Sequence, residues 1–247
     1  MADGLEGKNA LVTGSAQGIG KAIALQLAKQ DCHVLVNCCH NPEKAEETVM
    51  EIRKMGGKAT VWICDITNEK ALKDKISDFD VDILVNNARL DPYKCPDGMS
   101  AGEWFNALLK VKLIGSYLCI TAVAEGMKRR RWGRILNISS VQAHLGMDEK
   151  MLTYAACNAG LNSLTRSFAK NLGYWNITVN TLAPGMVITE NIHTRLSDEV
   201  INRKIQSFPL QRIPSAEEIA EVAVNTIRTG TMTGETVNIN SGSFLSA

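Results

Sequence analysis

The sequence predicts an α/β protein, a single domain over 1–247 built on a Rossmann-type, doubly wound parallel sheet of about seven strands. Three observations predict it. Short apolar runs alternate with longer helical patterns along the whole chain. The apolar runs are continuous, as parallel strands covered on both faces must be. A glycine-rich turn, "TGSAQGIG", joins the first run to the first helix. In such sheets, ligands bind outside the carboxyl ends of the strands.

The elements follow in order. "NALVTG" (9–14) is a strand, and "GKAIALQLAKQ" (20–30) its helix. "HVLVNCC" (33–39) is the second strand. The helix over 41–57 has proline near its start and glycines at its end, which suit a first turn and a C-cap. "ATVWICDI" (59–66) precedes a short helix ending near Ser77, and "VDILVNNA" (81–88) is the fourth strand. A long helix over roughly 101–127 leads to "GRILNISS" (133–140). A helix from Tyr154 leads to "ITVNTLAPG" (177–185), and a last helix over 215–229 to "TGETVNINSG" (233–242). Residues 89–100, 141–152 and 186–214 read as irregular, the last as a cover over a substrate.

With 247 residues, 45% of them hydrophobic, the chain can bury a full core. A net charge of +1 gives no argument for nucleic acid or a membrane surface. No apolar run is expected to reach spanning length, and the N-terminus lacks a cleavable signal pattern. The seven scattered cysteines read as reduced thiols, so a cytoplasmic location is expected. Cys32, His33, Cys38, Cys39 and His40 are metal-ligand types, but their spacing is that of a packed strand, and no metal is expected. "KRRRWGR" (128–134) reads as a solvated loop, with docking of a coenzyme A or carrier phosphate as the functional alternative and Trp132 as a packing residue.

"TGxxxGIG", "CDI", "NNA", "NISS", a tyrosine fourteen residues beyond Ser140, and "NTLAPGMVIT" occur in this order. The whole chain thereby resembles the short-chain dehydrogenase/reductase family, nearest the branch of 3-oxoacyl-(acyl-carrier-protein) reductases and 3-hydroxyacyl-CoA dehydrogenases. The resemblance implies NAD or NADP as cofactor. It implies that Gly14, Gly18, Ile19 and Gly20 line the pyrophosphate. Asp65 would bind the adenine with Ile66 beside it, and Asn86 and Ala88 would lie along the adenosine ribose. Val187 and Thr189 would hold the carboxamide, Ser140 the substrate oxygen, and Tyr154 would exchange the proton.

Four departures fall on that site. Asn158 stands where the family places lysine, and Lys112 where it places asparagine. Arg89 replaces the glycine of "NNAG", blocking cofactor approach. The second strand ends on Cys38 and Cys39 instead of an acid, and Gln17 stands where NADP binders carry arginine. A catalytic tyrosine near neutrality needs roughly 4 kcal/mol of anion stabilisation, about 3 units below its free value of about 10. A helix N-terminus supplies only about 0.3–1 kcal/mol.

These departures predict an impaired subunit with weakened or lost cofactor binding. Its expected partner is an active paralogue in a heterotetramer, or itself in a homotetramer, acting on a small acyl-CoA-type substrate. In type it resembles the 2-(α-hydroxybenzyl)succinyl-CoA dehydrogenases, which pair an inactive with an active subunit. Two alternatives remain open: an active dehydrogenase in which Lys112 replaces the missing lysine, and a non-redox nucleotide or acyl-CoA binding protein.

Overall fold

A computed structural model describes residues 4–147, 151–189 and 197–245. Seven parallel strands form one sheet: β1 (Asn9–Val12), β2 (His33–Cys38), β3 (Lys58–Ile63), β4 (Ile83–Asn86), β5 (Gly133–Ile138), β6 (Ile177–Pro184) and β7 (Thr236–Ile239). Their order is β3-β2-β1-β4-β5-β6-β7, so the winding reverses between β1 and β4. That reversal opens a crevice at the carboxyl ends of β1 and β4.

The helices are α1 (Gly18–Ala28), α2 (Pro42–Lys54), α3 (Glu69–Ile76), α4 (Ala101–Leu109), α5 (Gly115–Arg130), α6 (Leu152–Leu172), α7 (Asp198–Ser207) and α8 (Ala216–Arg228). Successive strand residues point to opposite faces. Ala10, Val12, Val34, Val36, Ile83 and Val85 therefore join α1, α2 and α8 in one core, while Leu11, Leu35 and Leu84 join α3, α5 and α6 in the other. Two covered faces require apolar residues at both parities, which explains the unbroken runs.

Caps fix the helix starts. Asn41 accepts from the Lys44 N–H at 3.3 Å ahead of Pro42. Ser100 with Glu103, and Ser215 with Glu218, form complete capping boxes at α4 and α8.

The structure corrects several expectations. Residues 186–214 are not irregular throughout, because α7 occupies Asp198–Ser207. Its signal was in the sequence: Ser197 caps Val200 N–H at 3.4 Å and Asp198 and Glu199 fill the first turn. Residues 190–196, the rest of the expected substrate cover, lie outside the described residues.

A second correction concerns span length. α4 and α5 run on through a π turn (Lys110–Ile114) into one helix, Ala101–Arg130, with an 18-residue window of mean hydropathy 1.6. That is long and apolar enough to cross a membrane, but 44% of the window is buried in the protein itself, against α3, β4, β5 and α6.

The basic run is not a solvated loop. It spans the last turn of α5 and the amino end of β5, the sheet edge opposite the crevice, and four of its five cations have partners. Arg130 binds Asp80 at 2.6 Å and Asp82 at 3.1 Å. Arg131 lies over Tyr174 and Trp175, with ring centroids at 5.5 and 5.6 Å. Arg134, 2% exposed, donates to Gly133 O and Asn176 O and stacks on Trp132 at 4.5 Å. Trp132 packs against the α1/α8 core, as expected.

Among the described residues, no three metal-ligand side chains converge. Cys32 is buried with its thiol on Leu5 O at 3.3 Å and pushed up to about 12 by burial, then by Asp31 and Asp82. His33 instead meets Thr60 Oγ1 at 2.9 Å.

Candidate dinucleotide cleft and catalytic site

The glycine loop leaves β1 and enters α1 at the crevice. Gly14 and Gly18 adopt φ of 61° and 57°, the left-handed region that favours glycine. A Cβ at Gly14 would lie 3.0 Å from Ala88 Cα, so loop 87–89 packs directly on the glycine turn. A Cβ at Gly20 would meet Asn87 Nδ2 at 2.4 Å. Gly18 faces Thr189, whose methyl would be 3.8 Å from a Cβ there. The loop's first helical N–H groups could hold a diphosphate.

Three side chains to which the sequence reading gave no bracing role hold this turn in place. Asn37, 2% exposed at the end of β2, accepts from Gly14 N at 3.0 Å and donates to Trp62 O and Cys64 O at 3.1 and 3.0 Å. Thr13 Oγ1 accepts from Asn87 N and Ala88 N at 2.9 and 3.0 Å. Asn87 Nδ2 donates to Thr13 O and Gly14 O, both at 3.0 Å. Their only advance signal was polarity at the ends of apolar strands. Replacing Asn37 by alanine should cost about 2–4 kcal/mol, since it removes the side-chain partner of backbone groups on two segments, the glycine turn and the end of β3. Denaturant midpoints would check it; a change below about 0.5 kcal/mol would contradict this role.

Two implied adenosine contacts change character. Asn86 is 1% exposed, and its Nδ2 donates to Asn137 Oδ1 at 2.8 Å, so its amide lies between strands and not along a ribose. Ile66 is 5% exposed, and its Cδ1 would be 2.9 Å from a Cβ at Gly115, so its side chain is turned onto α5. Only main-chain atoms of these two residues could serve a nucleotide. Asp65 stays exposed; one carboxylate oxygen accepts from Thr67 N and Oγ1 at 2.9 and 2.8 Å, leaving the other for an adenine amino group. Ile19 and Val187 are half-buried against the α1/α8 core. At the ribose end, Lys44 Nζ donates to Gln17 Oε1 at 3.2 Å.

Ser140 lies two residues past β5 and caps a short 3-10 turn (Val141–His144), and Tyr154 stands in the first turn of α6. Ser140 Oγ donates to Gln142 Oε1 at 3.2 Å and lies 3.4 Å from Pro184 O, while Gln142 N donates back to it at 3.3 Å. Gln142 was not foreseen. Ser139 Oγ reaches Asn158 O at 3.4 Å, tying the strand end to α6.

The two exchanged residues face each other's elements without joining. Asn158 is fully buried, and its Nδ2 donates back to Tyr154 O at 2.8 Å. Its Oδ1 is buried without a partner. Lys112 is the inward residue of the π turn, 3% exposed, and its ammonium donates to Ile138 O on β5. Burial, with the Arg89 guanidinium second, pushes Lys112 down to about 7. Near neutrality this lysine is thus only partly charged. Arg89 is exposed, with a single long contact to Leu90 O at 3.4 Å and no acidic partner among the described residues.

Comparison with known proteins agrees with this geometry. The profile of the short chain dehydrogenase family matches residues 8–200. The 3-oxoacyl-(acyl-carrier-protein) reductase of Aquifex aeolicus is 36% identical over 97% of this chain and 98% of its own. That of Staphylococcus aureus is 35% identical over 96% and 98%. Among solved structures, a 3-oxoacyl-(acyl-carrier-protein) reductase from Brucella melitensis superposes with a TM-score of 0.90 at 29% identity, covering 98% of this chain and 93% of that one. A 7α-hydroxysteroid dehydrogenase complexed with NADH and 7-oxoglycochenodeoxycholic acid gives 0.87 at 32% identity, over 97% and 94%. The chain belongs to the short-chain dehydrogenase/reductase family.

Proposed function

We propose that this chain is a catalytically impaired short-chain dehydrogenase subunit. It pairs with an active paralogue in a dehydrogenase of hydroxyacyl-thioester (3-hydroxyacyl/3-oxoacyl) substrates. One observation carries the reading: neither of the two exchanged positions, Asn158 and Lys112, brings an ammonium to Tyr154. Asn158 spends its amide on the Tyr154 carbonyl, and Lys112 spends its ammonium on Ile138 O. Fold-level likeness does not supply the missing group.

When bound, a nicotinamide dinucleotide supplies hydride chemistry. The residues here fit half of it. The glycine turn and Asp65 suit an adenosine diphosphate. The nicotinamide half meets Arg89, and the ribose loses the lysine that Asn158 replaces.

A surface for a partner supports the pairing. The π turn and α5 carry exposed Ile114 and Tyr117 (41% and 45%) on the helix of highest hydropathy, and α6 carries exposed Leu152 (56%). An isologous dimer uses such a face on both copies, and a paralogue of the same fold can take one side. The acyl-thioester substrate class is supported by the printed activity of the reductases above. Seven free cysteines, five of them buried, support the cytoplasmic part of the reading.

Tagged chain, co-expressed with its genomic neighbours, should capture a second short-chain dehydrogenase carrying an intact Tyr-x-x-x-Lys. Recovery of a stable homotetramer that turns over NADH or NADPH would sink the proposal.

A further inference from the structure

We infer that this chain carries a second binding site, for a phosphate group that is free or borne by a small organic monoester, in a basic cavity at the amino ends of β1, β2 and β3. The site is independent of the proposed subunit role, because it lies at the opposite end of the sheet from the crevice.

A cavity of about 530 Å³ opens where these three strands begin. Its walls are the chain entering β1, the first residues of β2 and β3, and the last turn of α2. Cavities of about 300–1,000 Å³ are usual for small ligands. Arg53, Lys58 and His33 all line it, and Asp31 is the one carboxylate in its wall. Neither Arg53 nor Lys58 has an ion pair among the described residues. Arg53 Nη2 donates to Ala59 O at 2.9 Å, which fixes the guanidinium at the wall and leaves its other donors. His33 Nε2 lies 2.9 Å from Thr60 Oγ1, which fixes the half-buried ring and leaves Nδ1 as its other polar atom.

The three basic groups act on one another. Burial, then Lys58 and Arg53, hold the His33 imidazole below its ordinary range. An oxyanion among them relieves that repulsion and supplies acceptors for a guanidinium, an ammonium and a ring N–H. The cavity is several times the size of a bare phosphate, which leaves room for an organic group. Ordinary roles cover part of this arrangement. Arg53 sits in the last turn of α2, where a cation complements the helix dipole, and Lys58 opens an edge strand, where a lysine discourages pairing. Neither role requires the two cations to share a cavity with a half-buried histidine.

Nuclear magnetic resonance of the full chain reads the site through the His33 ring, its signal assigned by its loss in His33→Gln. Ribose 5-phosphate, inorganic phosphate and ribose are titrated at constant ionic strength, since screening alone moves a histidine that lies near cations. Both phosphates should shift the His33 signal saturably, with a Kd of about 1 mM or below, and ribose should not. Saturating phosphate should also raise the His33 titration midpoint, because a bound anion favours the imidazolium against Lys58 and Arg53. Lys58→Ala and Arg53→Gln should each weaken both phosphates by about fivefold or more. Asp31→Asn should strengthen them, and asparagine tolerates the φ of 59° at that position. Lys58 is exposed and its side chain makes no hydrogen bond among the described residues, so that variant keeps the fold even where loss of the Arg53 bond lowers stability. Tighter binding of ribose 5-phosphate than of inorganic phosphate assigns the site to an organic monoester, and equal affinity assigns it to the free ion. No saturable shift, an equal shift by ribose, or a Lys58→Ala variant unchanged towards both phosphates would each overturn the inference.

Discussion

Replacing Lys112 by methionine should stabilise the protein, and by more at pH 6 than at pH 9. The buried ammonium titrates near 7 in the folded chain against an ordinary 10.5. The folded state thus binds fewer protons than the unfolded state between those values, and stability from this group rises with pH across that window. The penalty is complete below about 7, shrinks as pH rises, and vanishes above about 10.5. A shift of this size corresponds to about 4–5 kcal/mol at pH 6 and about 2 kcal/mol at pH 9. Methionine fills a similar volume and removes the penalty. It also removes the bond to Ile138 O, worth about 1–3 kcal/mol. The net gain should be about 2 kcal/mol or more at pH 6 and near zero at pH 9. Urea midpoints of both proteins at the two pH values would read it. Equal destabilisation at both would show that the lysine is paired by something stronger than one carbonyl.

Introducing lysine at Asn158 alone should destabilise the fold by about 3–5 kcal/mol, the usual cost of an uncompensated buried charge. Asn158 is fully buried on the α6 face that the π turn packs against; a Cβ at Gly160 would lie 3.0 Å from Leu113. A second ammonium there would also oppose Lys112. The exchange Asn158→Lys with Lys112→Asn restores the family's arrangement and should recover most of that loss. The double-mutant cycle should therefore show coupling of about 2–3 kcal/mol between the two positions. Additive losses would mean that the two sites are energetically separate, and the idea of an exchanged pair would fail. Turnover of NADH by the double variant is expected to need Arg89→Gly as well, since the proposed reading sets that side chain against the nicotinamide half of the cofactor.

Strand placement was legible in the sequence because both faces of the sheet are covered, and a run such as "ALV" or "HVLVNC" has no other use in a chain of this composition. The glycine turn was legible because only glycine serves φ of 57–61° cheaply. Family membership was legible as residue types in order, which is why Asn158 and Arg89 stood out before any coordinates. Side-chain direction was not. Asn86 and Ile66 belong to the right segments, yet their side chains face the core, since a strand or turn residue can point either way until its neighbours are placed. The basic run misled for a related reason. Charge alone suggests solvent, but the partners of Arg130 and Arg134 come from positions 80–82 and 176.

The sequence by itself determined the parallel sheet, the glycine turn and the loss of lysine beside Tyr154, all of them matters of residue type and local spacing. Tertiary structure alone decided the surroundings of Lys112. Its neighbours are a carbonyl of β5 and the guanidinium of a loop 23 residues earlier, and the depressed charge that follows is a property of burial, which no local pattern encodes.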